Sequence, residues 1–202
     1  MHTVGTSAVL VDCDGLDDVE YVCSWFRARG EGIVGEIVPA SRTVLLVATA
    51  GAEQAMRELA AKVPEEFPRT MDLLAGDEIV IPVRYDGEDL ALVAALLGIG
   101  GRELVHRHTR TPWRVGFIGF VPGFGYLHSE DWPFVLARRS TPRTRVPAGS
   151  VAIADAYSGI YPRVAPGGWH LLGTTDVPLW DSDRTPPALL QPGARVRFEE
   201  AG

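Results

Sequence analysis

Cysteine is scarce in this chain: Cys13 and Cys23 are the only two among 202 residues. They lack the paired short spacing of a zinc site or a disulfide framework, so both are expected to be buried thiols. Positive charge is also in short supply. Lys and Arg number 19 against 26 Asp and Glu, a formal net charge of −7. That balance argues against a dedicated nucleic-acid binder, which needs a basic surface to meet phosphates. Long apolar runs are missing too. No stretch of about 18 apolar residues is present to span a bilayer, and residues 1–30 lack a basic segment followed by an apolar run. A cytoplasmic chain, with neither a membrane nor a nucleic acid as partner, is expected. GxxxxGK[ST] is absent, GxGxxG does not occur in a strand-to-helix setting, and Ser150 has no GxSxG around it. A recognisable phosphate loop and covalent serine catalysis therefore have no support.

What remains is a chain built to fold. Hydrophobic residues make up 46% and charged residues 22%, which supplies a packed interior and excludes global disorder. The length fits one large domain or two small ones. Residues 6–13, 33–38 and 43–49 read as strands, the last continuously apolar. Between the first two, Val19, Val22, Cys23 and Phe26 share one helical face, with Asp14 placed to cap the helix and Gly30 to end it. A second helix is expected from Ala52, Ala55, Met56, Leu59, Ala60 and Val63, stopped by Pro64. The order β-α-β-β-α describes a small α+β unit with two helices on an antiparallel sheet. Residues 64–77 read as a linker, dividing a domain 1–77 from a domain 78–202. The strand expected at 78–83 either completes the first layer or opens the second domain.

Beyond Tyr85, Leu90, Val93, Ala94 and Leu97 mark one helix and residues 101–107 another. From 113 onward glycine and proline are dense, and short apolar runs at 114–120, 151–153, 169–172 and 194–198 fit a β-barrel or sandwich with long loops. The same half holds three unusual clusters, at 116–127, 141–162 and 165–175. Glycine lets backbone N–H groups approach a ligand closely, and proline stiffens the loop that aims them. Phe120, Phe124, Tyr126, Tyr161 and Trp169 interleave there with Arg143, Arg145 and Ser150, giving apolar walls with a few polar groups, as small-molecule sites have. Pro122, Gly123, Pro147, Ala148, Gly149, Gly167 and Gly168 complete the candidate substrate-binding set. His108 is the best candidate for proton transfer or for holding a carboxylate or phosphate, against the alternative of a histidine at the surface or satisfied in the core. His106, His128 and His170 give no metal-ligand spacing with a third partner, so no metal site is expected. Arg143 is the candidate oxyanion clamp with Arg145, against the open alternative of solvated arginines or arginines paired with an acid, for which Asp176, Asp181 and Asp183 are the natural partners.

At these clusters the sequence resembles the family of 5-oxoprolinase B subunits, also described as allophanate hydrolase subunit 1. The resemblance rests on His108, on Gly119 to Leu127 (GFVPGFGYL), on Thr141-Pro142-Arg143, on Val146 to Val151 (VPAGSV), on Gly159 to Pro162 (GIYP) and on Pro166 to Trp169 (PGGW). IVGEIVPASRTVLLV and YDGEDLALVA extend it over almost the whole chain. It implies an N-terminal α+β domain and a C-terminal cyclophilin-like β-barrel. It also implies a complex with homologues of the enzyme's C subunit (allophanate hydrolase subunit 2-like) and of its A subunit, hydrolysing 5-oxoproline to glutamate with ATP and Mg. His108 and Arg143 are the catalytic candidates under this resemblance, and the chain is expected to be inactive alone. Thr174 stands where the family pattern has arginine, which predicts weakened or altered binding of an anionic group. Two alternatives follow from the same resemblance: a histidine-kinase inhibitor acting through the C-terminal barrel, and an accessory component of a urea carboxylase or allophanate hydrolase system.

Overall fold

The structure, a computed structural model, describes residues 1–64 and 78–201. The chain divides into two compact units, Met1–Leu73 and Leu74–Gly202. The expected boundary at 77/78, and all of the expected linker but Pro64, lie outside the described residues.

The first unit has a four-stranded antiparallel sheet in the order β1-β2-β4-β3, formed by β1 (His2–Val4), β2 (Ala8–Asp12), β3 (Val34–Pro39) and β4 (Thr43–Ala48). Helices α1 (Leu16–Arg29) and α2 (Glu53–Ala60) make the second layer. Val9 and Val11 of β2 and Val44 and Leu46 of β4 are buried, whereas their neighbours along each strand are not, as a sheet covered on one face requires. They pack with Val19, Val22, Phe26 and Met56 in one core. The cap differs from expectation. The N-cap is Gly15, and the Asp18 carboxylate reaches back to accept the Asp14 backbone N–H at 2.9 Å, so Asp14 is capped rather than capping. Gly30 ends α1 as expected, but for reasons of space. Its φ is −96°, and a side chain there would collide with the Phe26 carbonyl and Val34.

In the second unit β5 (Glu78–Val83) pairs in parallel with β13 (Arg195–Glu200), so the strand at 78–83 opens this unit and does not complete the first. Seven strands follow the order β12-β9-β10-β7-β6-β13-β5, with β6 (Trp113–Ile118), β7 (Gly125–His128), β9 (Ser150–Ala154), β10 (Tyr157–Ile160) and β12 (His170–Thr174). The sheet curls until its two edges nearly meet. Arg84 and Thr174 exchange both backbone hydrogen bonds at 2.8 Å, and the Gly87 N–H reaches the Leu172 carbonyl at 3.1 Å. Gly173 and Gly87 permit this approach, since a side chain at either would run into the facing backbone. Helices α3 (Leu90–Leu96) and α4 (Gly101–Arg110) complete the inner packing, and a two-stranded ribbon of β8 (Arg143–Val146) and β11 (Ala165–Gly167) accompanies the barrel.

Strand β9 shows how this unit is layered. All five of its residues are buried, yet Val151 and Ile153 join one core with Trp113, Leu127 and Phe198, while Ala152 and Ala154 join another with Phe124, Tyr161 and Trp169. The period-two alternation of a strand therefore feeds two separate apolar clusters, one on each face of the sheet. We call them inner and outer.

Candidate functional site

The inner cluster claims His108. Its ring is wholly buried, stacked on Phe198 at 4.4 Å between centroids and flanked by Trp113 and Trp132. Tyr85 Oη lies 2.7 Å from Nδ1, and Ser158 Oγ lies 2.9 Å from Nε2 and 3.4 Å from the Ala152 carbonyl oxygen. One assignment satisfies every member of this chain. The Tyr85 hydroxyl donates to Nδ1, Nε2–H donates to Ser158, and Ser158 donates to the carbonyl. Desolvation by burial lowers the His108 pKa to about 3, so the ring is neutral at pH 7. Burial also raises the Tyr85 pKa, which keeps the phenol a donor. This geometry gives His108 no access to a solute and matches the alternative weighed for it, a core histidine whose polar atoms are all satisfied.

The outer cluster is different. Phe124, Tyr126, Tyr161 and Trp169 meet edge-to-face, with centroids between 5.1 and 5.5 Å for Phe124–Tyr126, Phe124–Tyr161, Phe124–Trp169 and Tyr126–Trp169. Such pairs add about 0.5–1.5 kcal/mol each beyond burial. Gly159 and Gly167 make room: a side chain at the first would strike Phe124 and Trp169, and at the second the Tyr161 phenol. Tyr161 is buried, which raises its pKa, while the Trp169 backbone N–H donating to its oxygen pulls the other way. Phe120 lies above Phe124 and Tyr161, 55% exposed, with φ at 66°. A bulky residue in the left-handed region costs roughly 1–3 kcal/mol, and such strain concentrates at functional sites.

The other candidates sort around this wall. Pro122 is exposed, and the adjoining Gly123, with φ at 84°, lies against Trp180. Pro147, Ala148 and Gly149 form a turn leading into the buried Ser150. The turn is tied to Tyr161 twice, by the Gly149 N–H on the Tyr161 carbonyl at 2.7 Å and by the Tyr161 N–H on the Ser150 carbonyl at 2.9 Å. Gly149 needs its φ of 78°, and the Thr175 carbonyl leaves no room for a side chain there. Gly168 accepts the Arg139 N–H on its carbonyl at 2.8 Å. The structure thus gathers Phe120, Phe124, Tyr126, Tyr161, Trp169 and Gly167 on the outer face, sets Gly123 against Leu179 of the inner core, and leaves His108 on the inner face. Ser158, which holds His108, alternates along β10 with Tyr157 and Gly159, which face the outer rings.

Arg143 requires a correction in its partners. It bonds neither Asp176, Asp181 nor Asp183; its Nη2 reaches Glu88 at 3.0 Å and Asp89 at 2.9 Å. Asp89, only 3% exposed, also accepts Arg139 Nη1 at 2.8 Å and the Leu171 N–H at 2.8 Å. Desolvation pulls the Asp89 pKa upward, but the hydrogen bonds from Arg143 and Leu171 and the two guanidinium charges outweigh it and hold the carboxyl below its ordinary value. Asp176 instead forms a two-pronged pair with Arg84, at 2.6 and 3.1 Å. Thr174, at the position expected to carry arginine, donates its hydroxyl to Asp86. Sequence reasoning missed Asp89 because one acidic residue before an amphipathic helix reads as an ordinary helix start.

A nearly closed β unit with small helices, together with a two-layer α/β unit, defines a carboxyltransferase-like protein. Comparison makes the assignment definite: the chain belongs to the family described as carboxyltransferase domain, subdomain C and D, which matches residues 1–190. Over 123 residues, 59% of this chain, it is 46% identical to the B subunit of 5-oxoprolinase from Escherichia coli O157:H7, and the match spans 56% of that relative. Among solved structures, TTHA0988 superposes over 96% of this chain and 40% of its own length with a TM-score of 0.78 and 36% identity. Kluyveromyces lactis urea carboxylase shares the fold, with a TM-score of 0.77 at 17% identity over 100% of this chain and 21% of that protein. Among the described residues no helix is long and apolar enough to cross a membrane.

Proposed function

We propose that this chain is the B subunit of an ATP-dependent 5-oxoprolinase and that the outer aromatic face is its substrate-binding surface. The observation that carries the site is the exposed, left-handed Phe120 standing over the Phe124–Tyr161–Trp169 wall. The similarity to a relative named as the B subunit of a 5-oxoprolinase supports the reaction. A lactam is a poor electrophile, and the reading supplies its activation chemically. The γ-phosphoryl group of ATP passes to the lactam oxygen and ADP leaves. Water then adds to the activated carbon, the ring C–N bond breaks and the nitrogen is protonated to an amine, leaving an acyl phosphate that a second water hydrolyses to the carboxylate of glutamate and inorganic phosphate. Magnesium accompanies the nucleotide as its counter-ion. The phosphates are assigned to a partner chain or to an interface with one, since this chain has no GxxxxGK[ST] loop.

Glutamate release from 5-oxoproline, followed with and without ATP, tests the proposal. We expect ATP-dependent product from this chain assembled with homologues of the enzyme's A and C subunits, and none from the chain alone. A well-folded assembly that releases no glutamate would overturn the assignment and favour a different amide substrate or a kinase-binding role.

A further inference from the structure

Two arginines converge on one buried oxygen. Arg139 Nη1 and Arg143 Nη2 both bond Asp89 Oδ1, at 2.8 and 2.9 Å, while Asp89 Oδ2 is taken by the Leu171 N–H. Neither guanidinium is saturated by this. Arg143 Nη1 and Arg139 Nε are buried and find no acceptor among the described residues, and a shielded donor without a partner costs about 1–3 kcal/mol. Among the described residues one further carboxylate reaches the pair, that of Glu88 on Arg143 Nη2 at 3.0 Å. The two acids are unlike: the Asp89 side chain is 5% exposed and the Glu88 side chain 77%. An exposed ion pair contributes roughly 0–1 kcal/mol, so Glu88 is easily displaced, whereas Asp89 is locked.

The pair also adjoins the aromatic wall. Gly167 stands opposite Arg143 in the β8–β11 ribbon and packs on the Tyr161 phenol. Arg139 donates its backbone N–H to Gly168, and Trp169 comes next in the chain, its N–H on the Tyr161 oxygen. One four-residue segment, Pro166 to Trp169, therefore joins a cationic pair to the outer aromatic cluster, in which Tyr161 and Trp169 are buried and Phe120 is exposed.

We propose that Arg139 and Arg143, fixed by Asp89, are a seat for the carboxylate of a small ring-bearing acid, and that the Glu88 carboxylate occupies this seat until the ligand displaces it. The ring of the ligand then lies against the outer aromatic cluster, whose exposed member is Phe120, and its carboxylate meets guanidinium N–H groups in the paired geometry that arginine favours. Asp89 is a positioning residue. The proposal rests on the outer face being the substrate surface, and it names the group that this surface recognises.

Calorimetric titration of the full chain with L-5-oxoproline, cyclopentanecarboxylate, pyrrolidin-2-one and inorganic phosphate separates the possibilities. We expect the two carboxylates to bind at least about tenfold more tightly than pyrrolidin-2-one, which has the lactam without the acid. Glu88→Gln, at an exposed position, removes the resident competitor and should tighten 5-oxoproline binding severalfold. Arg139→Gln should weaken it about tenfold. So should Arg143→Lys, whose single ammonium still reaches Asp89 but loses the second arm, while Arg102→Gln on α4 should change nothing. Equal affinity for pyrrolidin-2-one and 5-oxoproline, no binding by any ring compound, or weaker binding in Glu88→Gln would each overturn the seat. Binding of phosphate alone would overturn the carboxylate and assign the seat to a phosphoryl group. Both carboxylates binding alike, beside an assembled complex that makes no glutamate, would keep the seat and remove the oxoprolinase reading.

Discussion

The inner and outer faces of the seven-stranded sheet are built from the same strands, and they use their polar groups in opposite ways. On the inner face the Tyr85–His108–Ser158 chain is closed: each donor has an acceptor, the ring is neutral, and water is excluded. On the outer face Phe120 is strained and exposed, and two guanidiniums keep donors without acceptors among the described residues. A satisfied network rigidifies a fold, while strain and unmade hydrogen bonds are what a ligand can relieve. The contrast gives stability to one face and, under the proposed function, recognition to the other.

The most severe way to break this contrast is His108→Ala. It leaves a cavity and orphans the Tyr85 and Ser158 hydroxyls, so we expect a loss of about 3–5 kcal/mol in urea unfolding, with 5-oxoproline affinity of the surviving folded protein unchanged. A stable variant whose assembled complex had lost turnover would instead place His108 in the chemistry. Asp89→Asn comes next. Two guanidiniums lose their buried counter-charge, and roughly 3 kcal/mol of stability should go. Here ligand affinity should fall as well, because the seat loses its anchor.

Acid sharpens the comparison. Above pH 6.5 His108 is neutral in both folded and unfolded chains and contributes nothing to pH dependence. Below that, the unfolded chain binds a proton that the buried ring, with its pKa lowered to about 3, refuses. Stability should therefore fall by about 1.4 kcal/mol per pH unit from pH 6.5 downward. Thermal unfolding of His108→Gln between pH 6 and 4 should show a flatter slope, and an unchanged slope would show that other groups carry it. Asp89, whose carboxyl is held below its ordinary pKa, stabilises above the usual carboxylate range and loses that contribution only at lower pH. The smallest effect is expected at Phe120. Phe120→Gly relieves the left-handed backbone and removes the ring, so stability should hold or rise by up to about 1 kcal/mol, with weaker ligand binding. Unimpaired binding would remove Phe120 from the recognition surface.

The first unit was largely legible in its sequence because its strands and helices each bury one face, and one-sided burial leaves a period. Val9–Val11, Val44–Leu46 and Val19–Val22–Phe26 are such patterns. Strand β1 was not anticipated, since His2–Val4 is exposed throughout and pairs with β2 across a turn at Gly5. In the second unit, β7, β8, β10 and β11 left no apolar run to find. Gly159 and Gly167 fill positions where an aromatic ring from elsewhere supplies the bulk, and Gly125 one crowded by Leu190 and Val115. The residues of the outer aromatic cluster could be picked out together in advance because Gly-aromatic alternation is rare in ordinary turns. Their separation from His108 onto opposite faces could not, since it depends on the register of β10 against β9. The Arg143 partnership was equally hidden. Glu88 and Asp89 lie more than fifty residues away in sequence, and only closure of the sheet edges brings them to it.

The parallel pairing of β5 with β13 has a consequence for how the molecule is made. The strand that opens the second unit waits beside a partner over a hundred residues downstream, so the sheet cannot be completed on a ribosome until that last strand emerges. The first unit has only local pairings and is free to fold long before. Until then β5 offers an unpaired edge next to apolar side chains, and a long-range closure of this kind is slow and exposed to mispairing. Synthesis of this protein should therefore depend on chaperones through its second unit, and expression yield should respond to substitutions in β13 more sharply than equilibrium stability does.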